Sequence, residues 1–304
     1  MTLKDLIVRN CKLYFKDKGL FFSSLIAPII LFFLFVAFLG GVYKDSLLSV
    51  FEGVEIESRL VNGFAGGWLM SSLLAVSAVS IAFTANCVMV QDKMTDRYAD
   101  FCVSPVKHYQ LALGYYIATA LVTLLVCSVA LVVGYIYLAI VGWYLTFTDV
   151  VLTILDTVLL VLFGTSLSSI VCKFLKSQGG ITAVEVIVSA AYGFLCGAYM
   201  PIASLADAIG KTLSFLPGTY GTSLLHEHFM GGAIDEICSG LAGGDVYAQR
   251  TREGFDCVIS FFDNAVPEWA CYLIISITVV LLIGLYILLV ASPWKKRSKK
   301  VHSS

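Results

Sequence analysis

Two carboxylates, Asp156 and Glu185, stand inside long apolar runs. An ionised side chain in hydrocarbon is costly, so each is a candidate for proton transfer, ion binding or transport. Their depths argue against joint work. Asp156 lies six residues from the outer end of its run, about 9 Å deep, and Glu185 four residues from the inner end of the next, about 6 Å deep. Across a core about 30 Å thick, that leaves roughly 15 Å between them along the membrane normal. A carboxylate dyad within one chain, as a proton relay or aspartyl protease needs, is disfavoured. Taken singly, each fits a carboxylate that faces a wet cavity or bonds Ser and Thr neighbours.

Other candidate chemistry is sparse. His226 and His228 flank Glu227, but residues two apart on a helix point about 200° from each other, so they cannot chelate one ion from one face. The trio reads as a surface polar cluster. Nine cysteines are scattered with no C-x-x-C, which leaves zinc and redox motifs without support. Cys238 and Cys257 could bond in an oxidising exterior, with Cys196 and Cys271 as competing partners. No G-x-x-x-x-G-K-[ST] occurs, so the chain has no P-loop with which to hydrolyse ATP. The pairs Gly40–Gly41, Gly66–Gly67 and Gly179–Gly180 fall at the ends of apolar runs and read as hinges or helix terminators. No cofactor is expected on this chain.

The elements that must position these residues are membrane spans. Of 304 residues, 59% are hydrophobic and 13% charged. That balance excludes a soluble globular body, a disordered chain and a coiled coil. Net charge is −1, which gives no basis for nucleic-acid binding. Six runs reach the roughly 20 apolar residues that a spanning helix needs. They are Leu20–Gly40, Phe64–Val90, Leu111–Ile140, Val150–Cys172, Ile181–Tyr199 and Ala270–Ala291. Their continuity excludes a β-barrel. The first run is too long for the apolar core of a cleavable signal and lacks a small-x-small cleavage site. Pro28 should kink the first span by freeing the carbonyl of Ser24.

Charge placement orients the spans. Lys4, Arg9, Lys12, Lys16, Lys18, Lys93, Arg97, Lys107, Lys173, Lys176, Lys295, Lys296, Arg297, Lys299 and Lys300 fall on one side, fifteen of the 20 basic residues. Lys44, Arg59, Lys211, Arg250 and Arg252 fall on the other. The positive-inside rule then puts both termini in the cytoplasm. Trp68, Trp143, Tyr144, Trp269 and Trp294 fall near span ends, as an aromatic belt would.

The remaining segments carry the organisation. Residues 1–19 read as an amphipathic interfacial helix, with Leu3, Leu6, Ile7, Cys11, Leu13 and Tyr14 on one face and Asp5, Arg9, Lys12 and Lys16 on the other. Residues 20–291 form the six-span domain, and 292–304 a basic tail. Within the domain, the cytoplasmic loop 91–110 reads QDKMTDRYADFCVSPVKHYQ, a short charged helix stopped by Pro105. It suits a docking knob as well as a solvated turn. The external loop 200–269 holds two short apolar periodicities suited to re-entrant or interface helices, Ile202–Leu213 and Leu224–Phe229, and 231–263 reads as exposed loop. Ser189, Gly193 and Gly197 lie four apart on the fifth span, a stripe suited to close packing within a bundle or across a dimer.

The stretches YFKDKGLFFSSLIAPIILFFLFVAFLG, DKMTDRYADFCVSPVKHYQLALGYY, GAYMPIASL and LPGTYG resemble, in that order, segments of type-2 ABC transporter permeases. The resemblance covers nearly the whole chain. It implies an all-α membrane protein with six spans, an amphipathic amino-terminal helix and short re-entrant external helices. It further implies a plasma-membrane exporter subunit for a hydrophobic or amphipathic substrate. Two such subunits, identical or paralogous, would dock on separate cytoplasmic ABC ATPase subunits that hold ATP and magnesium. By the same resemblance, Asp92, Lys93, Arg97, Asp100 and Phe101 belong to the coupling helix that receives ATPase motion. The competing readings are a proton-coupled carrier or intramembrane enzyme built on Asp156 and Glu185, and a membrane sensor or immunity protein that binds ligand through the external loop.

Overall fold

A computed structural model describes residues 2–51, 53–95, 97, 108–241, 243–262 and 264–291. Six helical stretches are long and apolar enough to cross a membrane, and the chain is an all-α integral membrane protein. Below, the side that carries the amino terminus is the near side and the other the far side.

The amino-terminal helix, Leu3–Lys16, starts with a capping box. Thr2 Oγ1 accepts from Asp5 N at 3.3 Å while Thr2 N donates to Asp5 Oδ2 at 2.8 Å, satisfying two amides that a helix start leaves open. Leu6, Asn10 and Tyr14 are its buried face. Gly114 of span three makes room for it, since a Cβ there would stand 2.3 Å from Leu6 Cδ2. Asp17 ends this helix in extended backbone and caps the next by accepting from Leu20 N at 3.2 Å.

Span one, Lys18–Val50, breaks at Leu25, three residues before Pro28, as the missing proline N–H requires. A π-helical turn interrupts it again at Phe35–Leu39. Its apolar residues are largely exposed, among them Phe22, Phe33, Val36 and Phe38. Span two, Ser58–Met94, is the opposite case, with 94% of its apolar window buried. Spans one, three, four and five all pack on it. Spans three, four and five are His108–Val141, Phe147–Phe174 and Gln178–Leu195, and span six is Glu268–Ala291.

The far side departs from expectation. The helix after Pro217 does not stop near Phe229 but runs over Pro217–Cys238, 22 residues or about 33 Å, and is buried against spans two, four and six. Part of the segment 231–263 is therefore interior helix rather than exposed loop. A second helix, Gly244–Gly254, and a two-stranded hairpin pairing Ser260–Phe261 with Asn264–Ala265 complete it. The periodicity Ile202–Leu213 is broken at extended Leu205 into a 3-10 turn, Ile202–Ser204, and a separate short helix, Asp207–Leu213.

Glycine placement explains the packing. Gly66 and Gly67 sit inside span two, not at a span end: a Cβ on Gly67 would lie 2.5 Å from the Phe229 carbonyl oxygen of the far-side helix. Gly67→Val is expected to destabilise the protein by about 1–3 kcal/mol through overpacking. Gly284→Val in span six, where a Cβ meets nothing within 4 Å, should leave the melting temperature in detergent unchanged. Equal melting of the two variants would refute the packing assignment. The stripe on span five is also resolved differently. Its helix ends at Leu195, and Gly197 lies beyond it with φ +82°. Gly193 packs against the Tyr199 ring and Gly197 against Asp256 Oδ2 of the same chain.

Candidate functional site

Polar groups gather at two levels. On the near side, Asp92 is 2% exposed at the end of span two. Arg9 meets it with both terminal nitrogens, Nη1 to Oδ2 and Nη2 to Oδ1, each at 2.7 Å. Tyr115 of span three donates to Oδ2 at 2.6 Å. This bidentate geometry is the strong form of the ion pair, and the Asp92 carboxylate raises the Arg9 guanidinium above its usual range. The polar face of the amino-terminal helix is thus partly turned inward at Arg9. The next residue, Lys93, donates to the Cys172 and Lys173 carbonyls at 3.0 and 2.8 Å, the open carbonyls at the end of span four. About two turns earlier, Asn86 donates to Ser168 at 2.6 Å and accepts from Thr119 at 3.1 Å.

The amino-terminal helix and spans two, three and four are therefore joined at one point, where the chain leaves for residues 96–107. Arg97 is exposed. Asp100 and Phe101, like Trp294 and the basic tail, lie outside the described residues.

Inside the bundle, the two span carboxylates have separate partners. Glu185 accepts from Thr84 Oγ1 of span two, as a hydroxyl neighbour was expected to provide. Asp156 takes other partners: His228 Nδ1 at 2.6 Å on Oδ2 and the Tyr272 hydroxyl at 2.7 Å on Oδ1. His228 Nε2 faces Glu268 Oε1 at 3.2 Å. With a carboxyl oxygen at each ring nitrogen, an imidazolium would donate at both contacts. Span four, the far-side helix and span six meet at this histidine.

The H-E-H trio is accordingly not a surface cluster. Its residues do point apart, but His226 and His228 enter buried surroundings and Glu227 is half-buried, because helix Pro217–Cys238 is covered on most sides. His226 is fully buried against Trp68, with ring centroids 4.2 Å apart. Trp68 is thus interior and not part of an aromatic belt, whereas Trp269 is exposed at a span end. Glu227 pairs with Arg252 Nε at 2.9 Å, and Arg252 Nη2 reaches Asp235 at 2.8 Å, which fastens helix Gly244–Gly254 to the longer one. Among the described residues, no three His, Cys, Asp or Glu side chains are placed to hold a metal ion.

Cys238 and Cys257 are free thiols. The Cys257 carbonyl accepts from Ser223 Oγ, whereas Cys238 lies fifteen residues further along that helix, about 22 Å at the α-helical rise. The expected disulfide is therefore absent, since its Cα atoms would have to lie within about 7 Å.

Six apolar spans around a buried central helix, with a clamped near-side junction, define a helical multi-pass membrane protein. The family model described as ABC-2 type transporter matches residues 2–230, and the chain belongs to that family. It is a permease subunit of an ABC transporter. Among curated proteins, none matches the chain.

Proposed function

We propose that this permease is the membrane half of an ATP-driven exporter, working with a second permease subunit and with separate ATPase subunits that hold ATP and magnesium. In this reading it lies in the plasma membrane with the near side, and both termini, in the cytoplasm. By the order of spans in the sequence, the segments assigned to that side hold fifteen of the 20 basic residues, as the positive-inside rule asks of a cytoplasmic face. Residues 1–19, 20–291 and 292–304 serve as interfacial helix, permease domain and basic tail. A hydrophobic or amphipathic substrate suits the apolar, exposed faces of spans one and five.

The observation that carries the mechanism is the junction at Asp92 and Lys93. Force applied to the loop 91–110 reaches span two directly, and through Arg9, Tyr115 and the Cys172 carbonyl reaches three more elements. Asp92 and Lys93 brace the end of span two where the coupling loop begins, and the family resemblance assigns Arg97, Asp100 and Phe101 to ATPase coupling. ATP binding on the partner then biases the permease between two states by differential affinity. The separate partners of Asp156 and Glu185 count against a carrier or enzyme that uses them as a dyad.

The test uses the tagged full chain purified from its native membrane in mild detergent. It should bring down a P-loop ATPase, and Arg97→Ala with Asp100→Ala should lower the recovered ATP hydrolysis at least about tenfold, or 1.4 kcal/mol of docking, without loss of membrane insertion. Unchanged recovery would overturn the coupling assignment.

A further inference from the structure

The far-side segment encloses a cleft of about 160 Å³ that the transport reading does not use. Its lining includes Ile202, Leu205, Lys211, Ser214, Glu253 and Asp256. At roughly 30 Å³ per water, the space equals about five waters. That is too small for a drug-sized ligand, whose pockets run to about 300–1,000 Å³.

Asp256 gives the cleft its character. It holds a φ of +54°, a left-handed conformation unusual for a residue with a side chain, and is only 4% exposed. Its oxygens accept from the backbone amides of Ile202 and, at 3.1 Å, Ala203, and so fix the turn that opens the far-side segment. Gly197 makes room for it: a Cβ there would lie 2.8 Å from Asp256 Oδ2. A carboxylate has about four lone-pair positions, so two acceptances leave capacity for a further donor. Burial outweighs these two neutral donors and pushes the carboxyl up to about 7. The charged and titratable groups around it are Glu253 and Lys211 of the cleft, Cys257 beside it and Tyr43 of span one.

A buried carboxylate held by neutral amides, on the wall of an opening the size of a few waters, is suited to a small cation that also donates hydrogen bonds. The Ser214 hydroxyl, which donates to the Lys211 carbonyl at 2.9 Å and can still accept, offers a polar contact elsewhere on the lining, and Ile202 and Leu205 offer apolar ones. We propose that this cleft binds a compact solute bearing a primary ammonium group, of small amino-acid size, with the ammonium seated on Asp256. Under the orientation proposed above, the site faces the exterior, and because Asp256 also ties down the turn at Ile202, its occupant stabilises the far-side cap.

The test is thermal unfolding of the purified full chain in detergent with methylammonium chloride, glycine or, as the ionic-strength control, sodium chloride. Methylammonium should raise the melting temperature above the control. Its half-saturating concentration should fall about tenfold between about pH 6 and pH 8, following ionisation of a carboxyl near 7. A stronger effect of glycine than of methylammonium supports an amino acid as ligand, and the reverse supports a simple amine. Asp256→Asn should abolish the shift. Because that variant can also disturb the turn, Leu205→Trp, which fills the cleft and leaves the carboxylate in place, should abolish it independently. Identical melting in methylammonium and sodium chloride at every pH, or a shift that survives Leu205→Trp, would overturn the proposal. Neither result bears on the ATPase copurification, so the two readings fail separately.

Discussion

Replacing Arg9 with alanine is expected to destabilise the protein by about 3–5 kcal/mol, the range for stripping one partner from a buried ion pair. The argument rests on what remains. Asp92 is 2% exposed and, among the described residues, would keep only the Tyr115 hydroxyl, a neutral donor, against the cost of a buried charge. Arg9 itself is 25% exposed and keeps more hydration than Asp92, so the larger effect belongs to the stranded aspartate. The double variant Arg9→Ala with Asp92→Asn should therefore melt above Arg9→Ala alone. Its amide retains a hydrogen-bonding side chain beside Tyr115 without a charge. Melting in detergent measures both, and limited trypsin digestion reports whether the amino-terminal helix has come loose from span three. Wild-type melting of the single variant would remove the clamp from the mechanism.

Replacing His228 with alanine should have an effect of similar size at the other end of the bundle. Asp156, buried in span four, would lose its only cationic partner among the described residues and keep Tyr272. Unlike Arg9, His228 also bridges to Glu268, so the substitution disconnects the far-side helix from two spans at once. About 3–5 kcal/mol is expected again. His228→Ala and Asp156→Asn should combine to cost less than the sum of their separate effects, because removing the carboxylate removes the charge that the histidine neutralises. Strict additivity in this cycle would show that the two side chains do not act together.

The spans and the order of segments are legible because each depends on neighbours in the chain. An apolar run of 20 residues is visible locally, and so is the Thr2–Asp5 cap. Partners across the fold are not. Arg9 and Asp92 are 83 residues apart, and His228 lies 72 from Asp156. Each of these residues reads alone as a charge or a polar group. The far-side helix was obscured for a different reason. Gly231 and Gly232 weaken an isolated helix by about 1 kcal/mol each, so the segment reads as loop. In the fold, Gly232 is where the Tyr144 carbonyl approaches, with 2.0 Å to a Cβ placed there. The glycines that argue against a helix are what allow this one to be buried. Its signal was the presence of apolar residues around the whole circumference from Leu224 to Ile237, which an interface helix would confine to one face.

The burial of span two has a consequence for how the protein meets membranes of different thickness. A helix responds to hydrophobic mismatch by tilting or by distorting nearby lipid, and each response requires contact with acyl chains. Span two has almost none, whereas spans one, three, five and six present most of their apolar windows outward. Thickness changes therefore act on the periphery, and the central helix keeps its inclination relative to the near-side clamp. Bilayers of longer or shorter lipids should change the tilt of the outer helices first, with the axis between the near-side junction and the far-side helix as the fixed reference for that motion.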